Sequence, residues 1–109
     1  MPGVRSPLTT LPVTAALAAL VLTACTSAPR ESFDSPDPAA RRTAIVRAAA
    51  EKDTSKVPDL VRMLDSDDPA VRLLAIGTLE RLTGETLGYD YAAPAADRER
   101  ALQRWVEYA

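Results

Sequence analysis

DPAVRLLAIGTLERLTG, residues 68–84, is the stretch that decides the fold. Val71, Leu74, Ala75, the semi-polar Thr78, Leu79 and Leu82 recur at i, i+3, i+4, i+7, i+8 and i+11, which is one buried stripe of an α-helix. Asp68 suits the N-cap, where its carboxylate accepts from the free N–H groups of the first turn. Pro69 suits the first helical position, because its missing N–H would have no partner there. Gly84 stands where a left-handed residue ends a helix. The opening of this stretch occurs twice. DPAARRTAI at Asp37–Ile45 aligns with DPAVRLLAI at Asp68–Ile76 at an offset of 31 residues, with Asp, Pro, Ala, Arg, Ala and Ile matched. A helix start repeated at that period points to a helical solenoid, in which each hairpin buries its face on the next.

The pattern Asp-Pro-x-Val-Arg-x-x-Ala is carried by Asp68, Pro69, Val71, Arg72 and Ala75. Asp37, Pro38, Arg41 and Ala44 carry it in the first copy, with Ala40 in place of the valine. It resembles the HEAT repeat family over residues 36–83. The resemblance implies an all-α fold, a short α-solenoid of about two HEAT-like helical hairpins built from four helices. It also implies a structural ladder between neighbouring repeats, Asp37 with Asp68 and Arg41 with Arg72. A third implication is a protein-binding surface lined by the second helices. That surface would comprise Lys56, Asp59, Arg62 and Met63, joined by Arg100, Gln103 and Arg104 if the last helix takes the second-helix place. No family motif marks the last helix, and all seven residues could equally form a solvated face.

Around this centre the periodicity predicts a first helix over about residues 38–52, with Ala40, Ala44, Ile45, Ala48 and Ala49 on its apolar side. The positions matching Leu74, Thr78 and Leu82 are Thr43, Arg47 and Glu51. Such a polar outer helix suits a terminal cap. A turn at Asp53–Ser55 precedes a second helix over about residues 56–65, with Val57, Leu60, Val61 and Leu64 inward. The acidic turn Asp65–Asp68 lacks the further ligands, central glycine and final glutamate of a calcium loop, and reads as cap and turn. Residues 85–96, ETLGYDYAAPAA, form a loop longer than solenoid turns require. Its Tyr89 and Tyr91 could anchor an interface or fold back over the open end of the last helix pair. The need to cover that end favours the second role. A last helix, residues 97–109, turns Ala101, Leu102, Trp105, Val106 and Ala109 to one side. Trp105 is its core keystone.

The other end carries an address. Residues 1–24 read as an export signal: Arg5 and the amino terminus are positive, and the apolar run to Ala24 carries no further charge. Leu11–Ala24 is shorter than the roughly 20 residues a membrane span needs. Leu22-Thr23-Ala24-Cys25 resembles the bacterial lipobox, which implies a lipoprotein signal peptide and a diacylglycerol-modified, further acylated Cys25 as the mature N-terminus. Cys25 is the only cysteine, so no intramolecular disulfide can form. Thr26 lacks the aspartate associated with inner-membrane retention, which weakly favours the outer membrane where two membranes are present. Residues 25–36 then form a flexible tether, and residues 37–109 the repeat domain. As a free chain the tether has an r.m.s. reach of roughly 20 Å. Its one apolar residue, Phe33, either packs before the first helix or dips into the lipid interface.

Composition narrows the function. Thirteen basic and 15 acidic residues give no polyanion-binding balance. Aromatic residues make up only 5% of the chain, too few for a base-stacking platform, so nucleic acid is not an expected partner. Histidine is absent, which removes the commonest general base and the commonest metal ligand. With the one thiol acylated, no nucleophile–base pair remains. No glycine-rich phosphate loop or metal-ligand cluster occurs. The expectation is therefore a non-enzymatic, lipid-anchored interaction module, an adaptor or scaffold at the bacterial cell envelope, with no cofactor, no metal and an unknown protein partner. The alternative is a structural spacer lipoprotein without a defined partner. A distant third is a lyase or maturation factor, because some HEAT-like repeats resemble those of phycobilin lyases.

Overall fold

The computed structural model describes residues 32–109. The signal segment, Cys25 and the tether up to Glu31 lie outside the described residues. Four α-helices follow one another: α1 (Pro38–Glu51), α2 (Val57–Met63), α3 (Pro69–Thr83) and α4 (Ala95–Tyr108). No strand occurs among the described residues. This is the all-α, four-helix, short solenoid that the internal repeat predicts.

Local chemistry sets the helix limits. Asp68 Oδ1 accepts from Ala70 N at 2.8 Å, and Asp37 Oδ1 accepts from Ala39 N at 2.9 Å, so both repeats open on the same cap. Gly84 closes α3 at φ 80°. Lys52 closes α1 in the same left-handed region, φ 52°. Asp53 then caps a 3-10 turn at Thr54–Lys56, its carboxylate accepting from Ser55 N at 3.0 Å. That turn delays α2 to Val57, one residue later than the periodicity predicts, and α2 ends at Met63. Helix α4 starts at Ala95 rather than Asp97, directly behind Pro94.

Helix α3 is the centre, packed against both α1 and α2. Ile45, Leu60, Leu64, Val71, Leu79 and Trp105 are fully enclosed. Truncating a buried tryptophan costs about 3–5 kcal/mol, so Trp105 is a major determinant of the core. Its indole is also satisfied, Nε1 donating to Thr86 O at 2.9 Å.

The second repeat closes in its own way. In the first, α1 and α2 form an antiparallel hairpin, bringing Arg62 at the end of α2 to Asp34 before α1. In the second, α4 begins beside the Leu64–Asp67 turn, at the N-terminal end of α3. It finishes with Trp105 against Thr86, at the C-terminal end of α3. Thus α4 packs on α2 but runs in the same sense as α3, opposite to the direction of a second helix. The limb that descends from Gly84 is a loop of two tight turns, closed by Tyr89 N donating to Thr86 O at 3.0 Å and Ala93 N to Asp90 O at 3.1 Å. Leu87 (φ 51°) and Gly88 (φ 77°) turn it, and Tyr89 Oη donates to Leu64 O at 2.6 Å. Arg72 Nε donates to Tyr91 O at 3.1 Å, and Arg104 Nε to Leu87 O at 2.8 Å. Tyr89 is buried and Tyr91 half-buried against the core. The loop folds back over the last helices and fastens the molecule there.

Candidate interaction surface

The two repeat starts are alike beyond Asp-Pro. Ser35 and Ser66, also 31 residues apart, accept from Asp37 N (3.1 Å) and Asp68 N (3.2 Å) through their hydroxyls. Their carbonyls accept from Arg41 Nη1 and Arg72 Nη1, each at 2.8 Å. Each turn is therefore held by its own serine, aspartate and arginine. The matching signal was in the sequence: Asp34-Ser35 and Asp65-Ser66 match at the same offset, three and two positions upstream of each Asp-Pro.

This geometry corrects the expected ladder. Asp37 caps only its own helix, and Arg41 and Arg72 turn to their own serine carbonyls. The ion pair that crosses between repeats is Arg42 Nη1 to Asp68 Oδ2 at 3.0 Å. Equivalent residues of a solenoid occupy equivalent places in their own units, so an offset match does not make them neighbours. The residue next along α1, turned toward α3, makes the crossing. One hydrogen bond differs between the two arginines: Arg72 Nε donates to the Tyr91 carbonyl, whereas Arg41 Nε is buried without a hydrogen-bond partner among the described residues.

Between the two turns lies an open groove of about 510 Å³. Residues 33–36 form one bank and residues 65–67 the other, with Arg41, Arg62 and Met63 along the floor and sides. Phe33 packs against the core, and Asp34 pairs with Arg62 Nη1 at 2.9 Å. The last part of the expected tether, 32–36, is thus docked on the domain. Arg62 also pairs with Asp59. Those two carboxylates, Asp59 foremost and then Asp34, hold the Arg62 guanidinium still more firmly protonated than usual. Asp65 and Asp67 stand exposed on the opposite bank. With Arg41 turned to Ser35 O and Arg62 neutralised by two carboxylates, the groove presents negative charge to solvent.

The residues expected to meet a partner are divided by the structure. Arg62 lines the groove and Asp59 supports it. Met63 is only 7% exposed and packs mainly in the core, with one edge on the groove. Helix α2 is short and buried on more than one side, which widens its apolar stripe to include that position. Lys56 lines a separate cleft of about 250 Å³ with Ser32, Phe33, Ala44 and Arg47. Arg100 pairs with Asp97, Gln103 Nε2 donates to Glu99 Oε1 at 3.0 Å, and Arg104 braces Leu87. Among the described residues no hydrogen bond or ion pair joins these three to Asp59 or Arg62. They decorate the closing helix, a consequence of its reversed direction.

A helical solenoid with repeated Asp-capped starts is the class that these features define. Comparison with protein families gives the same result: the HEAT repeats family matches residues 26–106, and the chain belongs to it. No curated protein and no solved structure matches the chain. HEAT repeats commonly mediate protein–protein interaction.

Proposed function

We propose that this chain is a lipid-anchored adaptor at the bacterial cell envelope whose repeat domain captures a protein partner through the groove between its two turns. The observation that carries the reading is the groove's construction. Two copies of one turn flank an open space into which Asp65 and Asp67 stand exposed, while Asp34 on the facing bank pairs with Arg62. A partner segment bearing lysine or arginine would complement it, since opposite charge steers association and fixes register. The anchor rests on the lipobox-like Leu22-Thr23-Ala24-Cys25 behind an uncharged apolar run. Several acyl chains on one cysteine hold a protein stably, where one chain gives only marginal binding. A binding role without a reaction of its own suits a chain with no histidine.

Asp65→Lys together with Asp67→Lys tests the groove directly. Both side chains are exposed and serve no cap, so helicity and melting should stay as in the parent. The expected result is loss of partner capture from membranes. Capture retained by a folded double variant would remove the groove from consideration.

A further inference from the structure

The repeat reaches further upstream than the two turns. At the 31-residue offset Ser32 and Phe33 stand at the places of Met63 and Leu64, and residues 26–32, TSAPRES, fall opposite VPDLVRM, the whole of α2. The equivalence holds where both copies are described. Phe33 packs against the core that contains Leu64, and Ser35 and Ser66 make the same bonds. The family match likewise opens at residue 26. Helix α2 packs on α3, whose inward stripe includes Ala75, Thr78, Leu79 and Leu82. The same register positions on α1 are Ala44, Arg47, Ala48 and Glu51. These line a cleft of about 250 Å³, which Asp53 and Lys56 close at one end. Ser32 and Phe33 border it too, and Ser32 N donates to Ala40 O at 3.3 Å. The chain therefore reaches Ser32 at the edge of this cleft.

We propose that residues 28–31, Ala-Pro-Arg-Glu, dock in this cleft and take on α1 the place that α2 takes on α3. Connectivity and chemistry both select this segment as the occupant. It is joined by one peptide bond to Ser32, which lines the cleft, so its effective concentration there exceeds that of a separate partner. On α3 the stripe is apolar and meets Leu60 and Val61 of α2, whereas on α1 the same positions are small or charged. Residues 28–31 match that change with a small residue, a proline, a cation and an anion. Glu31 faces the positive charge of Arg47 and Lys56, and Arg30 the negative charge of Glu51 and Asp53. Arg47 Nε donates to Glu51 Oε1 at 2.9 Å, so the docked pair extends one exposed ion pair into a network, the form in which such pairs contribute most. Docking also holds the bank at residues 33–36 from its upstream side. Where Cys25 is acylated, only Thr26 and Ser27 then separate the lipid from the domain, which makes the tether a short fixed stalk.

Nuclear magnetic resonance of the isotope-labelled full-length protein in detergent micelles tests the docking. Mass spectrometry of the same sample reads whether Cys25 is acylated, so the anchor is judged separately. The expected result is order parameters of about 0.85, the rigid-backbone value, at the amides of Ala28, Arg30 and Glu31. Nuclear Overhauser contacts from these residues to the Ala44 and Ala48 methyl groups should accompany them. Order parameters below about 0.6 would describe a free tether and overturn the proposal. Ordered amides without contacts to Ala44 and Ala48, or contacts that a mixed-label sample assigns to a second copy, would overturn it as well. Arg47→Glu changes an exposed side chain and should leave the resonances of α3 and α4 in place. In that variant the order parameters of Arg30 and Glu31 should fall to the flexible range. Unchanged order there would overturn the ionic seating of the segment.

Discussion

Tyr89→Phe isolates the bond by which the loop after α3 closes the domain. The ring stays, so packing is kept, and only the hydroxyl that donates to Leu64 O at 2.6 Å is removed. A protein hydrogen bond contributes about 0.5–1.5 kcal/mol net, and a buried carbonyl left without its donor adds to the loss, giving about 1–2 kcal/mol in all. For a domain of this size each kcal/mol moves Tm by about 4–8 °C, so a drop of roughly 5–15 °C is expected. The hydroxyl also has a pH signature. Burial foremost raises the Tyr89 hydroxyl above its ordinary pKa of 10.0, with Arg72 and Arg98 opposing the rise. Because the folded-state value lies above the unfolded one, the contribution is complete below pH 10.0 and is lost as pH rises through the folded value. Urea unfolding followed by circular dichroism, at neutral pH and at a series of pH values above 10.0, measures both effects. The parent should lose stability on the alkaline side more steeply than Tyr89→Phe. A variant as stable as the parent at neutral pH, with the same alkaline slope, would refute the closure.

Three further outcomes follow from the same geometry. Gly77→Ala should stabilise by about 0.5–1 kcal/mol, because it adds helix propensity in open space, whereas Gly88→Ala should destabilise by at least ~1 kcal/mol because of its left-handed backbone. Thermal melts of the pair measure the difference in sign. Asp68→Ala removes a cap and the Arg42 ion pair, and Asp37→Ala removes a cap alone. Each should cost about 1 kcal/mol for the cap, with Asp68→Ala lower by a few tenths more, since an ion pair this exposed contributes little. Cys25→Ala should move the protein from the detergent phase to the soluble phase in phase partitioning.

How far the sequence reveals the molecule depends on how local the deciding chemistry is. Helix α3 was legible because its cap, its first-turn proline, its stripe and its terminal glycine all act within a few residues. The repeat was legible because its two starts use the same side chains for the same bonds. The descent after α3 was legible as a loop that folds back, but its contacts were not. At the 31-residue offset, α2 (VPDLVRM) falls opposite GYDYAAP, where Gly88 and Pro94 disfavour a helix. Nothing local, however, says that Tyr89 will reach Leu64, 25 positions earlier. The direction of α4 follows from that bond and from Trp105 on Thr86, both long-range. Arg42 rather than Arg41 as the crossing residue likewise depends on how α1 is rotated against α3. Of the contact residues read from the family likeness, Arg62 lies at the groove because α2 is a true second helix. Arg100, Gln103 and Arg104 do not join it because α4 runs in the reverse direction.

Crosslinking in intact membranes measures partner capture in place. The acylated full-length protein would be crosslinked in place, captured, and its attached proteins identified by mass spectrometry. One stoichiometric partner, joined through residues 33–36 or 65–67, is the expected result. Self-crosslinks alone, or an even scatter over abundant envelope proteins, would contradict the adaptor reading and leave a structural spacer in its place.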